Sequence, residues 1–161
     1  MGDCSKGKFS CVGFAGTFDH FHAGHKFALL KALKLGKSVI LGVTTEEMLK
    51  GKPERERILP FEMRKAKIER FLEEKGVADR VKIIPLKDPY GPAISSQEIE
   101  AIVVTKETYA RAEEINQIRI QRKIPPIKIV LIPLALAEDK MPISSSRIRK
   151  GEIDSEGRLI S

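Results

Sequence analysis

The sequence predicts a doubly wound α/β domain built on a parallel sheet of about five strands. Short apolar runs alternate along the chain with longer segments whose apolar residues recur at helical spacing. The runs are apolar at nearly every position, which is typical of parallel strands that helices cover on both faces. At 161 residues the chain is long enough to bury a sizeable core, and we expect residues 1–161 to form a single domain.

Five apolar runs are predicted strands, each bounded by glycine, proline or charged residues. In chain order they cover residues 9–14, 38–43, 80–86, 101–104 and 127–134. The segment "DPYGP" at 88–92 is predicted to be a loop, because a stretch so rich in proline and glycine suits neither a strand nor a helix.

Four segments have the spacing of helices. In chain order they cover residues 24–35, 61–76, 107–123 and a short stretch that begins near 144–146. Gly36 is suited to close the first of them, and Pro60 lies where a first helical turn tolerates proline, at the start of the second. In a sheet of this kind, ligands bind at the carboxyl ends of the strands, where the strand order reverses.

The composition is that of a globular protein, with 42% hydrophobic and 32% charged residues. No window approaches the roughly 20 consecutive apolar residues of a membrane span, and the first ten residues lack the apolar core of a signal peptide. Cys4 and Cys11 are too few and wrongly spaced for a disulfide scaffold or a cysteine zinc site, so we expect free thiols. These features predict a cytoplasmic protein without a membrane partner.

The net charge is +7, from 29 Lys and Arg against 22 Asp and Glu. Such a surplus attracts phosphates, whether on nucleic acid, a membrane or a small nucleotide. It is also typical of a heat-adapted surface, in which Lys, Arg and Glu dominate the polar positions and asparagine is rare. The charge alone does not decide between these interpretations.

All three histidines, His20, His22 and His25, lie between the first predicted strand and the first predicted helix. Unpaired N–H groups and the macrodipole favour a phosphate at a helix start, and Gly24 lets the backbone approach it. His22 and His25 are three positions apart, so both imidazoles project to nearly one side and are able to donate hydrogen bonds to phosphate oxygens. A zinc site that adds Asp19 is the alternative, although structural zinc normally takes four ligands.

Two motifs resemble those of a nucleotidyltransferase superfamily with a Rossmann-like fold. One is HxGH, present at residues 22–25, and the other is ISSxxIR, present as "ISSSRIR" at 143–149. They follow in the right order, about 120 residues apart. Within that superfamily, "DPYGP", "VVTKET" at 103–108 and "INQIR" at 115–119 are similar to the phosphopantetheine adenylyltransferases of archaea and eukaryotes. The resemblance covers nearly the whole chain.

This resemblance implies transfer of AMP from ATP to 4'-phosphopantetheine, giving dephospho-coenzyme A and pyrophosphate. It implies that His25 stabilises the transition state at the α-phosphate, that His22 contacts the triphosphate, and that Thr17 contacts phosphate where the two substrates meet. Neither histidine has to be a nucleophile, because nucleotidyl transfer depends mainly on alignment and charge stabilisation. Magnesium is expected with ATP, although the sequence has no dedicated carboxylate cage for it.

The resemblance implies further contacts. The ATP contacts expected beside the histidine segment are Gly24, Arg119, Ser144, Ser145, Ser146 and Arg149. The serines would bind the β- and γ-phosphates at a helix start, where hydroxyls also cap orphan amides. Arg149 would add charge near the leaving pyrophosphate.

On the acceptor side, Lys52 is the candidate for holding the attacking phosphate, with Lys50 as a near alternative. The opposing interpretation is that "KGKPERER" is a solvated loop. Asp88 and Tyr90 would shape the acceptor pocket or serve only the turn. His20 stands where many relatives have proline, and its role stays open.

Two other functions are compatible with parts of the sequence. Another member of the superfamily would use the same phosphate chemistry on a different acceptor, such as flavin or nicotinamide mononucleotide, or would transfer CMP. A basic nucleic-acid-binding module would need a stripe of cations interleaved with aromatic residues, but aromatics make up only 6% of the chain and most fall in apolar runs. The sequence therefore predicts small-molecule substrates without nucleic acid as a partner.

Overall fold

The computed structural model describes residues 8–52 and 55–160. Its five strands are β1 (Phe9–Gly16), β2 (Gly36–Thr44), β3 (Val81–Leu86), β4 (Ala101–Val104) and β5 (Lys128–Leu131). Its helices are α1 (Ala23–Leu35), α2 (Phe61–Glu74), α3 (Tyr109–Gln121) and α4 (Ser145–Arg149). All strand pairs are parallel, in the order β3-β2-β1-β4-β5. The predicted α/β class with a five-stranded parallel sheet is confirmed.

The sheet is covered on both faces. Val12 and Leu41 pack with Leu29 of α1 in the larger core, which α2 completes. On the opposite face, Ile102 packs with Ile115 of α3. Burial on two sides is the reason why the strands are apolar at consecutive positions. The strand order reverses beside β1, so a ligand crevice is expected outside the carboxyl ends of β1 and β4.

Gly36 closes α1 in a way that the sequence pattern does not predict. Its backbone is extended, with φ −121° and ψ 144°, and it is the first residue of β2. Its N–H still donates to the carbonyl of Ala32 in the last turn. A Cβ at this position would lie 2.9 Å from Val12 Cγ1. Close packing therefore requires the glycine, rather than a left-handed backbone.

The last predicted strand is shorter than its apolar run. β5 ends at Leu131 because it pairs only with β4, whose last residue, Val104, lies opposite Leu131. The predicted loop after β3 contains a single 3-10 turn at Gly91–Ile94. Cys11 is a buried free thiol, as expected, whereas Cys4 lies outside the described residues. No helix within the described ranges is long and apolar enough to cross a membrane.

Candidate active site

Helix α1 begins with two histidines that cap each other. His22 is the N-cap residue, and its Nδ1 accepts from the N–H groups of Gly24 at 3.1 Å and His25 at 3.3 Å. His25 Nδ1 accepts in return from the N–H of His22 at 3.2 Å. A neutral imidazole whose Nδ1 accepts carries its proton on Nε2. Each ring is therefore held as the tautomer that has an Nε2–H left to donate.

The two imidazoles are stacked and desolvated. Their centroids lie 3.6 Å apart with planes inclined by 14°, and Phe18 meets the His25 ring edge-on at 5.1 Å. Burial, followed by repulsion from His20, lowers the pKa of His22 to about 4. Burial, followed by repulsion from His22, lowers the pKa of His25 to about 2. At neutral pH both rings are uncharged hydrogen-bond donors.

The free energy of unfolding is expected to fall as the pH is lowered from about 6.5 toward 4. Histidines of the unfolded chain take up protons near the ordinary pKa of 6.5, whereas folded His22 and His25 resist protonation down to about 4 and about 2. Because the unfolded state binds more protons in this range, stability is fully present above pH 6.5 and is lost below it. Each histidine contributes a slope of up to about 1.4 kcal/mol per pH unit.

Urea denaturation between pH 4.5 and pH 7.5 measures this slope. The matched control is the double variant His22→Asn/His25→Asn, because asparagine caps a helix without titrating. The control is expected to show a flatter dependence on pH. If it is as steep as the wild type, the acid sensitivity arises from other groups.

The N–H groups at the start of α1 are already paired within the protein, which corrects the expectation that they are unpaired; direct binding of a phosphate by them stays a prediction. Their acceptors all belong to the protein, and the His22 ring nitrogen Nδ1 accepts two of the four bonds. The four bonds run from Gly24 and His25 to His22 Nδ1, from Ala23 to the Ser155 carbonyl at 2.8 Å, and from Lys26 to the His22 carbonyl at 3.1 Å. Within this helix start, the imidazole Nε2–H groups are the donors that have no partner in the described residues.

Gly24 also has a different role from the one expected. A Cβ on Gly24 would lie 2.9 Å from Cε1 and 3.0 Å from Nδ1 of His22. The glycine makes room for the capping imidazole, and its contact with ATP stays a prediction. The HxGH spacing is thus first a way to build the reciprocal cap.

The connection from β1 to α1 has an unusual backbone. Three residues other than glycine have positive φ: Phe18 at 57°, His20 at 62° and Phe21 at 28°. Such conformations persist only where surrounding contacts hold them, and they cluster at functional sites. Proline is locked near φ −65°, so it cannot replace His20 in this backbone.

Asp19 is a buried carboxylate that sequence analysis did not place in the site. It is 2% exposed. Its Oδ2 accepts from Arg149 Nη1 at 2.7 Å, its Oδ1 from the N–H of Leu59 at 3.0 Å, and its carbonyl from Ser145 Oγ at 2.7 Å. The histidine segment and α4 are therefore in direct contact. The sequence offered one signal of this buried carboxylate, an acidic residue within the largely apolar connecting segment "GTFDHF".

Two hydroxyls of the serine-rich segment form hydrogen bonds with the backbone of the protein. Ser144 is the N-cap residue of α4, and its Oγ accepts from a first-turn N–H at 3.2 Å, so the predicted capping is confirmed. Ser145 donates to Asp19, whereas Ser146 is exposed. Arg149 forms an ion pair with Asp19 at 2.7 Å. Contacts of the three serines and Arg149 with phosphate stay predictions.

Arg64 is a second residue that sequence analysis missed. Its side chain is fully buried in α2, and it donates to the carbonyls of Leu59 at 2.7 Å, Thr17 at 2.9 Å and Thr44 at 2.7 Å. Desolvation lowers the pKa of this guanidinium from its usual range. The signal in the sequence was a cation four positions before Ile68, on the apolar face of the helix.

An apolar pocket of about 190 Å³ opens on the face of the sheet away from α1. Gly13, Ala15 and Gly42 line it, with Ala15 opposite Gly42 across the β1–β2 pair. The Leu86 side chain packs directly over Gly42, where it lies 2.8 Å from the position of a Cβ. Tyr90 also lines it. Asp88 does not, because its Oδ1 accepts from the N–H groups of Tyr90 at 2.9 Å and Gly91 at 2.8 Å. Asp88 therefore forms the turn that presents Tyr90.

The remaining predicted contacts involve Lys50 or Lys52 and Arg119. Lys50 and Lys52 are exposed on the turn after β2. Arg119 is 4% exposed, and it donates to the carbonyls of Pro125 at 2.8 Å, Ala93 at 2.8 Å and Ser96 at 2.7 Å. Pro125 leads into β5, so Arg119 lies toward the amino ends of the strands and is not brought together with the histidines. A nucleotide contact would require the guanidinium to leave these carbonyls.

The comparisons with known proteins agree with this geometry. A family model described as cytidylyltransferase-like matches residues 14–151, which include both motifs. Together with the fold, this match defines the class of the protein as a nucleotidyltransferase. Proteins named phosphopantetheine adenylyltransferase are 46% identical in Methanopyrus kandleri, over 91% of this chain and 92% of the relative, and 43% identical in Methanothermobacter thermautotrophicus, over 96% and 92%. The chain belongs to the phosphopantetheine adenylyltransferase family.

Solved structures share the architecture. A protein of unknown function from Archaeoglobus fulgidus is 32% identical, with a TM-score of 0.65 over 78% of this chain and 99% of its own. A tyrosyl-tRNA synthetase from the same organism has a TM-score of 0.66 over 89% of this chain and 60% of its own, at 13% identity. The second likeness concerns the fold alone.

Proposed function

We propose that this protein transfers AMP from ATP to 4'-phosphopantetheine, giving dephospho-coenzyme A and pyrophosphate. The observation that carries the proposal is the pair of neutral imidazole donors at the start of α1, together with an apolar pocket that reaches the carboxyl ends of β1, β2 and β4. Gly16 and Thr44 line the pocket, and Thr17 follows Gly16 directly on the way to the histidines. The names of the relatives support the same reaction.

The proposed reaction is a displacement at the α-phosphorus of ATP. An oxygen of the acceptor phosphate forms a bond to this phosphorus, the bond to the oxygen bridging to the β-phosphate breaks, and that electron pair leaves with pyrophosphate. A phosphate monoester is largely ionised at pH 7, because its second pKa is near 6, so the attack needs no general base. This agrees with histidines whose pKa values are about 4 and about 2. Their Nε2–H groups stabilise charge that develops on the α-phosphate oxygens.

The acceptor and the leaving group occupy opposite sides of the histidines in this proposal. The uncharged arm of phosphopantetheine enters the apolar pocket beside Tyr90, and its phosphate meets Thr17 and either Lys50 or Lys52. Ser144, Ser145, Ser146 and Arg149 face the β- and γ-phosphates.

Magnesium belongs to the substrate in this proposal. Within residues 8–52 and 55–160, no three His, Cys, Asp or Glu side chains are grouped to hold a metal ion. Mg²⁺ binds ATP phosphates and retains much of its water, so it needs no protein cage. We also propose a cytoplasmic location, since scattered cysteines without a disulfide pattern suit a reducing compartment.

An acceptor screen tests the proposed reaction. The full chain is incubated with ATP, magnesium and, in separate reactions, 4'-phosphopantetheine, flavin mononucleotide or nicotinamide mononucleotide, and with CTP in place of ATP. Pyrophosphate release and product mass are measured. Dephospho-coenzyme A is expected from ATP and phosphopantetheine alone. Turnover of another acceptor without turnover of phosphopantetheine would remove the assignment.

The same screen on two variants tests the pocket. Ala15→Leu fills space beside Gly42, so KM for phosphopantetheine is expected to rise about tenfold, which corresponds to about 1.4 kcal/mol of lost apolar contact. KM for ATP is expected to change less than about twofold. Ala110→Leu, at an exposed position of α3 that does not line the pocket, is the matched control. Equal rises in both KM values would place the arm elsewhere.

A further inference from the structure

A chain of polar contacts runs from the buried guanidinium of Arg64 to the hydroxyl of Thr17. Arg64 Nη1 lies 3.3 Å from Thr44 Oγ1, and Thr44 Oγ1 lies 3.2 Å from Thr17 Oγ1. Arg64 is held in place by its bonds to three backbone carbonyls, and Thr44 is 7% exposed. These contacts therefore connect a fixed charge inside the protein with the edge of the candidate site.

The chemistry of these groups determines which of them donates and which accepts in each hydrogen bond. A guanidinium only donates, so Thr44 Oγ1 accepts from Arg64 Nη1. This oxygen shares one of the two Nη1 hydrogens with the carbonyl of Thr17 or of Thr44, which lie closer at 2.9 and 2.7 Å. Among the described residues, the remaining partner of Thr44 Oγ1 is Thr17 Oγ1, which therefore receives the Thr44 proton. Thr17 Oγ1 accepts that bond and has no other partner in the described ranges. Its own proton is left to be donated to a ligand.

We propose that Thr44 is a positioning residue that, together with Arg64, orients the hydroxyl of Thr17 as a donor to substrate phosphate. This inference rests on the proposed adenylyl transfer. Thr17 follows Gly16 of the pocket lining in sequence, and its hydroxyl contacts Thr44, which also lines the pocket. In the proposed reaction this is where the acceptor phosphate meets ATP. The 3.2 Å separation of the two hydroxyl oxygens is longer than the usual range of about 2.5–3.0 Å for such a bond, and catalytic contacts are often long before substrate is bound.

The orientation has a physical benefit for the transfer step. A hydroxyl that is free to rotate must be ordered when charge develops, whereas a hydroxyl whose lone pair is already occupied points its proton outward beforehand. The charge of Arg64 polarises Thr44, and Thr44 in turn strengthens the Thr17 donor. Loss of the Thr44 hydroxyl should therefore act on kcat more than on KM for ATP.

A double-mutant cycle on the full chain tests the proposal. Thr44→Val keeps the shape and the backbone contacts of Arg64, and it is expected to lower kcat by about five- to tenfold. Thr17→Val is expected to lower kcat by about a hundredfold. In the Thr17→Val background, Thr44→Val is expected to change kcat by less than about twofold, because the hydroxyl through which it acts is gone. Independent effects that multiply in the double variant would overturn the proposal.

Three controls separate this result from loss of folding and from failure of the proposed reaction. Thr44→Ser restores a hydroxyl and is expected to keep kcat within about twofold of wild type, whereas Thr44→Ala is not; equal rates for the two would overturn the proposal. Thr45→Val removes the hydrogen bond that the Thr45 hydroxyl donates to the Leu86 carbonyl at 2.8 Å, which is not part of the Arg64–Thr44–Thr17 contacts. This variant is expected to lower Tm without lowering kcat. If wild type itself forms no dephospho-coenzyme A, the adenylyl transfer fails first, and the cycle is read on whichever acceptor is turned over.

Discussion

Replacement of His25 by alanine is expected to lower kcat by about 10²–10³-fold, while KM for ATP changes less than about threefold. The Nε2–H of His25 is a donor aimed away from the helix cap, and its ring is fixed by the stack with His22. Such a donor acts mainly on charge that develops in the transition state, so its loss appears in kcat. Steady-state kinetics of pyrophosphate release measure both constants.

Two amide variants separate the cap from the chemistry. His25→Asn keeps an acceptor near the Nδ1 position, so the cap with His22 N–H survives while the outer donor is lost. His25→Gln places an N–H near the Nε2 position. We therefore expect near-normal stability with low kcat for asparagine, and partial recovery of kcat for glutamine. His20→Asn is the matched control, because asparagine tolerates positive φ; normal kcat for His25→Ala would refute the role assigned to the ring.

Replacement of Asp19 by alanine is expected to lower the free energy of unfolding by about 3–5 kcal/mol. The change removes the carboxylate that lies 2.7 Å from Arg149 Nη1, and it removes the acceptor of the Leu59 N–H. Both losses fall at the contact between the histidine segment and α4. KM for ATP is therefore expected to rise as well, since the two helix starts lose their fixed separation.

Chemical denaturation at pH 7.5 measures the loss. Asp19→Asn retains an oxygen for Leu59 but removes the charge opposite Arg149, so an intermediate loss is expected. Glu114→Ala removes one partner of the exposed pair with Arg111, 3.6 Å apart, and is expected to cost less than about 1 kcal/mol. A loss for Asp19→Ala no larger than that of Glu114→Ala would show that the buried pair contributes little.

Most of the fold follows from local pattern. Strand β4 has the predicted bounds, 101–104, because four consecutive apolar residues buried on both faces are visible in one stretch of chain. The predicted end of β5 is wrong because strand length depends on the partner strand, and β4 has no residue left to pair beyond Val104. The cap at Gly36 differs for a similar reason, since the Val12 side chain, from another strand, leaves no room for a Cβ.

The site was predictable in its motifs and not in its hydrogen bonds. The two histidines and the serine-rich segment stand out by composition and spacing, and their assignment to phosphate contacts remains a proposal. The buried contacts of Asp19 and Arg64 were missed because their partners are distant in sequence: Arg149 for Asp19, and Thr17 and Thr44 for Arg64. In the sequence itself, such a partner is indicated only by a single charged residue within a hydrophobic segment.

The spacing of residues along the chain is enough to predict the succession of strands and helices in the sequence, the position of the HxGH motif after β1 and the protein family. These features depend on residues that are close to one another in the sequence. Contacts between distant segments determine which donors are left for a ligand. The N–H of Ala23 is taken by Ser155, and Nη1 of Arg149 is taken by Asp19, although a guanidinium has further N–H groups. A hydrogen-bond donor is available to a substrate only if no other part of the folded chain has already satisfied it.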